Sequence, residues 1–155
     1  MANLDQIDRQ LLSELQDEGR ITNVELAQRV GLTAPPCLRR VRSLEEDGII
    51  KGYHAELDAS KLGFTITVFA MVSLKSQAEE SLRAFEAAMH DLPEVREVHM
   101  LNGEIDFILK IVSRDLQSFQ EFLTSKLTPA PNVASVKTSL TIRTSKHEPG
   151  VPLEV

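Results

Sequence analysis

Three arginines, Arg39, Arg40 and Arg42, crowd onto about one and a half turns of a predicted helix. A guanidinium grips a phosphate, or the O6/N7 edge of guanine, through two parallel hydrogen bonds, so this cluster carries chemistry suited to nucleic acid. Glu45, Glu46 and Asp47 are held back to the far end of the same segment, which polarises the helix. Its near end, Thr33, Ala34, Pro35 and Pro36, reads as a cap followed by a first turn. The amides that proline lacks would find no intrahelical partner there. Free amides and the helix dipole at that end favour phosphate. A solvated amphipathic helix is the plainer reading of the same charges.

Asn102 to Asp106 (NGEID) forms the second constellation. Asn-Gly between two apolar runs is a hairpin signal, and its plain reading is a tight turn in which Asp106 binds nearby amides. The other reactive side chains carry no pattern. His54, His90, His99 and His147 lack metal-ligand spacing, and the lone Cys37 reads as a small core residue. No nucleophile with a base, metal cluster or phosphate loop is legible, which argues against an enzyme. One cysteine excludes an internal disulfide framework.

The elements around the arginines follow from local chemistry. Thr22 and Glu25 can form a capping box, starting a helix near Asn23 with Leu26, Ala27 and Val30 on one face. Gly31 stands where a left-handed residue ends a helix. Cys37, Leu38, Val41 and Leu44 make the predicted inward stripe of the next helix, with the arginines off it. Small residues at Ala27, Gly31 and Cys37 suit a close, steep helix crossing. Ahead of the pair, Leu4, Ile7, Leu11, Leu12 and Leu15 space out a further helix behind an Asp5 cap. Ile49 to Tyr53 read as an extended exit, and Asp58 to Gly63 as a turn-rich boundary.

The second half changes period. Thr65–Leu74 reads as a strand, Ala78–Asp91 as a helix, Val95–Asn102 and Ile105–Val112 as strands, Leu116 to Leu127 as a helix and Val133–Arg143 as a last strand. The fold class is therefore α+β: an N-terminal three-helix helix-turn-helix domain, winged-helix-like, and a C-terminal ferredoxin-like βαββαβ domain. The expected boundaries are 1–52 for the head, 53–64 for a linker, 65–143 for the sheet domain and 144–155 for a tail. Apolar residues on both faces of the first and third predicted strands imply that the helix-free face is covered, most naturally by a second copy of the chain.

With 155 residues and 42% apolar content the chain can bury a core, most naturally as two small domains. The absence of an apolar run of about 18 residues predicts no membrane contact, and with no leader pattern the expected location is the cytoplasm. A net charge of −6 opposes DNA binding globally, but the local field at the arginines decides.

LDQIDRQLLSELQDEGRI, ELAQRVGL, PPCLRRVRSLEEDGIIKGY and LNGEIDFILKIVSRD together resemble the Lrp/AsnC, or feast/famine, family of transcription factors over nearly the whole chain. The resemblance implies a sequence-specific regulator of double-stranded DNA with no cofactor, contacting DNA through Thr22, Thr33, Ala34, Pro35, Pro36, Arg39, Arg40 and Arg42. It also implies a homodimer, assembled further into octamers or larger, with a small amino-acid effector bound between dimers. The matching effector positions are Met100, Leu101, Asn102, Gly103, Glu104, Ile105 and Asp106, completed by Thr138 and Ser139 of a neighbouring copy. Two residues depart from the family: Glu104 where Asp is usual, and Phe107 where Tyr is common. Met100 and Ile105 would form an apolar wall that favours an aliphatic or sulfur-containing amino acid.

Overall fold

The computed structural model describes residues 4–154. It divides into two compact units, one running up to Glu56 and taking in the segment from Lys146, the other Leu57–Ser145.

The first unit holds α1 (Gln6–Asp17), α2 (Asn23–Arg29) and α3 (Ala34–Glu46). Asp5 with Asp8, and Thr22 with Glu25, close capping boxes on α1 and α2, satisfying amides that a helix start leaves free. The Thr22 hydroxyl, helped by the Thr22 amide, holds the Glu25 carboxyl below its ordinary range. Helices α2 and α3 end alike. Gly31 (φ 71°) and Gly48 (φ 69°) take the left-handed conformation. The Leu32 amide then reaches the Ala27 carbonyl at 2.8 Å, and the Ile49 amide reaches that of Leu44 at 3.0 Å. Leu11, Leu26, Ala27, Val30, Cys37 and Val41 are buried together as the core. Each fully buried leucine there stabilises the unit by about 2 kcal/mol. Residues 51–58 follow α3 without helix or strand.

The end of the chain belongs to this unit rather than standing alone as a tail. Gln16 on α1 donates from Nε2 to the Val151 carbonyl at 3.0 Å and accepts the Val151 amide at Oε1 at 2.8 Å. Its carboxamide thus plays the part of a neighbouring strand. Pro149, Val151 and Leu153 line a cleft with Leu12, Leu15 and Tyr53.

The second unit contains β1 (Ile66–Leu74), α4 (Glu79–His90), β2 (Val95–Met100), β3 (Phe107–Ser113), α5 (Leu116–Phe122) and β4 (Val133–Leu140). The strands form one antiparallel sheet in the order β2-β3-β1-β4. Strand alternation turns Val68, Ala70, Val72 and Leu74 of β1, and Phe107, Leu109 and Ile111 of β3, into a core with Phe85 and Met89 of α4 and Phe119 and Phe122 of α5. The Phe85 and Phe107 rings meet at 4.9 Å. The expected single helix to Leu127 instead ends at Phe122 and widens into a π-turn over Leu123–Leu127. There the Thr124 hydroxyl donates back to the Gln120 carbonyl at 2.9 Å, competing with the backbone ladder.

The helix-free face is less apolar than the strand pattern predicts. Phe69 is 38% exposed, with half-buried Met71, Ile108 and Val112 beside it. The register puts Glu97, His99, Lys110, Lys137 and Ser139 on the same face, and Lys110 pairs with Glu97 at 2.8 Å. Its middle is apolar apart from Lys110, and the edge strands β2 and β4 carry Glu97, His99 and Lys137.

Candidate nucleic-acid interface and ligand hairpin

Helix α3 sorts its side chains into two faces. Cys37, Arg40, Val41 and Leu44 stand at i, i+3, i+4 and i+7 on the inward face. Cys37, Val41 and Leu44 are buried, and Arg40 is the polar edge of that stripe. Arg40 Nη1 donates to Asp5 Oδ2 at 2.8 Å and to Asp8 Oδ1 at 2.7 Å, tying α3 to the N-terminus of α1. Hydrogen bonds to Asp8 first and Asp5 second hold its guanidinium pKa above the ordinary value. Asp5 is held below its usual range mainly by the Asp8 amide, with Arg40 adding to it. Arg40 is thus occupied as a brace, while Arg39 and Arg42 are exposed.

The outward face is Pro35, Leu38, Arg39, Arg42 and Glu46, which with Ser43 line a shallow open groove. Leu38 is the correction here. Expected in the inward stripe, it is 39% exposed on the arginine side, because the core closes through Cys37, Val41 and Leu44 and Arg40 takes the flank nearer α1. The i, i+3, i+4, i+7 spacing from Pro35 carried that signal in the sequence. Thr33 occupies the N-cap of α3, but its side chain makes no capping bond. A neighbour stabilises this start instead. Asn23 Nδ2, at the head of α2, donates to the Ala34 carbonyl at 2.9 Å and stitches the two helices together. Thr22 is exposed, while Ala34 and Pro36 are half-buried. Thr22, Thr33, Ala34, Pro35, Pro36, Arg39 and Arg42 therefore lie on the two helix starts and the outward face of α3, and Arg40 apart from them.

The hairpin between β2 and β3 is a longer loop than the Asn-Gly signal predicts. The Leu101 amide donates to the Asp106 carbonyl at 2.8 Å, so the connection spans the residues between them. Gly103 lacks the left-handed φ that a two-residue Asn-Gly turn requires. The loop is shaped instead from across the sheet. The Asp106 amide donates to the Val72 carbonyl at 3.0 Å, and the Asp106 carboxylate accepts the Leu74 amide at 2.7 Å and Gln77 Nε2 at 2.9 Å. Asp106 binds amides as the plain reading holds, which leaves its carboxylate largely committed. Met100 is 60% and Leu101 39% exposed, Asn102, Gly103 and Glu104 are exposed, and Ile105 is half-buried.

Thr138 and Ser139 are not brought to this loop within one chain. They pair with Ala70 and Phe69, well along β1 from the Val72 and Leu74 end where Asp106 docks. Alternation also places them on opposite faces of β4. Gln77, which lies in the loop after β1 and reaches Asp106, had no signal in the sequence.

Two family models cover the two units. Residues 4–51 match the winged helix-turn-helix DNA-binding domain, and residues 67–151 match the Lrp/AsnC ligand binding domain. The chain belongs to the Lrp/AsnC family. Among its relatives, the leucine-responsive regulatory protein of Rhizobium meliloti is 56% identical over 143 residues, 92% of each chain. The Bkd operon transcriptional regulator of Pseudomonas aeruginosa is 41% identical, covering 99% of this chain and 100% of its own. The crystal structure of a transcriptional regulator complexed with L-Met, from Neisseria meningitidis, superposes with a TM-score of 0.92 at 34% identity, over 97% of both chains. As an Lrp/AsnC protein, the chain is a transcriptional regulator with a helix-turn-helix DNA-binding unit and a ligand-binding unit. Among the described residues, no helix is long and apolar enough to cross a membrane.

Proposed function

We propose that the outward face of α3 docks in the major groove of DNA, with Arg39 and Arg42 on bases or phosphates and the helix starts at Thr22 and Thr33 to Pro36 against the backbone. Arg40 acts there as a brace. The observation that carries this reading is the division of α3 into a core-facing side, on which Arg40 is spent on Asp5 and Asp8, and an outward side on which Arg39 and Arg42 are exposed. The protein is not an enzyme, and it works in the cytoplasm as a homodimer or a larger assembly. The apolar middle of the helix-free face, from Phe69 to Ile108, supports pairing of two sheets, and a two-fold pair presents two heads to a palindromic site.

The ligand is a small aliphatic or sulfur-containing amino acid held at residues 100–106, completed by Thr138 and Ser139 of a neighbouring copy. Exposed Met100 and Leu101 support an apolar wall, and the L-Met bound to the Neisseria relative has the same character. Binding between copies changes assembly or head spacing, so that both half-sites can no longer be engaged together and avidity changes.

The test is a titration of the protein against the DNA upstream of its own and neighbouring genes, at two salt concentrations, with and without methionine, leucine and a mixture of the twenty amino acids. Salt-sensitive binding that shifts with methionine or leucine is expected. Absence of specific binding under every condition overturns the DNA reading, and indifference to every amino acid overturns the effector reading.

A further inference from the structure

Leu38 does not belong to the buried core of the first unit, which closes without it. It stands one turn from Pro35 and one turn from Arg42 on the outward face of α3, 39% exposed beside the exposed Arg39. An isobutyl group held among guanidiniums gains little in water. Its apolar surface is recovered only when a partner brings an apolar point into a surface that is otherwise anionic. The major groove has one such point, the C5-methyl group of thymine, standing among base-edge acceptors and flanked by phosphates. We propose that Leu38 is a specificity-determining residue that packs against a thymine methyl in each half-site, in the same groove segment that Arg39 and Arg42 enter. The proposal rests on the docking of α3 in the major groove and adds a chemical requirement to it. Arginines that grip phosphates set affinity without reading sequence, whereas a methyl contact distinguishes thymine from cytosine and from uracil, which differs from thymine by the methyl alone.

Uracil makes the decisive probe, because deoxyuridine pairs as thymidine does and differs from it only by the methyl group. A duplex site is selected from a random library with the wild-type chain. Each thymidine of its half-sites is then replaced singly by deoxyuridine, and binding is measured with wild type, Leu38→Ala and Leu38→Met. Replacement at one position per half-site is expected to weaken wild-type binding about fourfold, the worth of burying one methyl-sized group. Leu38→Ala is expected to bind the thymidine and deoxyuridine duplexes alike, and Leu38→Met to retain most of the difference. The thermal midpoint of each variant, followed by Tyr53 fluorescence, should stay near that of wild type, because Leu38 packs no core.

Equal wild-type affinity for thymidine and deoxyuridine at every position overturns the proposal and leaves DNA docking intact. A deoxyuridine penalty that persists undiminished in Leu38→Ala also overturns it, by showing that another residue reads the methyl. Failure of the wild-type chain to select any sequence overturns the docking of α3 itself, and the proposal falls with it.

Discussion

The two units show opposite relations between a charged side chain and its task. On α3 the exposed arginines stand beside a neighbour that is spent: Arg40 is locked to Asp5 and Asp8, and Arg39 and Arg42 stay exposed. At the β2–β3 loop the residue that looks most like a ligand group, Asp106, is the one locked into the fold, by the Leu74 amide and Gln77. The head thus keeps two arginines exposed beside a spent one, whereas the sheet unit spends the carboxylate of its own loop on the fold. A charged residue within a matching motif is fully available for a contact only where packing has not already used it.

The largest test of this contrast concerns the independence of the two cores. Phe85 is fully buried against Phe107 in the sheet unit, and Phe85→Ala should cost about 3–5 kcal/mol there. The chain has one tyrosine and no tryptophan, and Tyr53 lies in the head, so tyrosine fluorescence follows the head while far-ultraviolet dichroism follows both units. The sheet transition should move to lower denaturant with the tyrosine transition unmoved. A single shared transition that moves as a whole would show that the units are one cooperative body and break the contrast.

A smaller effect separates two glycines that look alike in sequence. Gly31 has φ 71°, so Gly31→Ala should lower the head transition by about 1 kcal/mol. Gly103 has no such φ and open space where a Cβ would stand, so Gly103→Ala should leave the midpoint nearly unchanged. A cost at Gly103 equal to that at Gly31 would restore the tight Asn-Gly turn.

Those glycines mark what could be read from sequence. The head was legible in detail because capping boxes at Asp5 and Thr22, the prolines at the start of α3 and the left-handed Gly31 act within four or five residues. The strands themselves were legible because period-2 patterns survive wherever one face is buried. What failed depended on distant partners. Residue type alone sends Leu38 inward and Arg40 outward; the core closes instead through Cys37, Val41 and Leu44, and the acidic pair at the start of α1 holds Arg40. The hairpin loop is shaped by Val72, Leu74 and Gln77, roughly thirty residues earlier in the chain. The last residues read as a tail because nothing local announces that Gln16 will hold Val151.

The smallest effect is a matter of pH. Burial, and then the carboxylate of Glu45 that accepts its hydroxyl at 2.9 Å, push the Tyr53 phenol up to about 12. A raised folded pKa favours the protonated form. The stabilisation is therefore fully present below the phenol's ordinary pKa near 10 and is lost as pH rises through about 12. Because Tyr53 is 46% exposed, solvent screening keeps this contribution small. A modest loss of head stability confined to that window is expected, with the sheet transition unaffected. Equal losses in both units would assign the change to general alkaline unfolding.

The most direct test of the account compares Arg39→Ala, Arg42→Ala and Arg40→Ala for the salt dependence of DNA binding alongside the head's thermal midpoint. Arg39→Ala and Arg42→Ala should weaken binding, each lowering the logarithmic salt slope by about one if its guanidinium meets a phosphate or relaxing selectivity at one base pair if it meets guanine, with the midpoint unchanged. Arg40→Ala should lower the midpoint and leave the salt slope of the folded protein as it was. If Arg40→Ala flattens the slope at an unchanged midpoint, while Arg39→Ala and Arg42→Ala bind as wild type, the division of α3 into a braced face and a reading face is wrong.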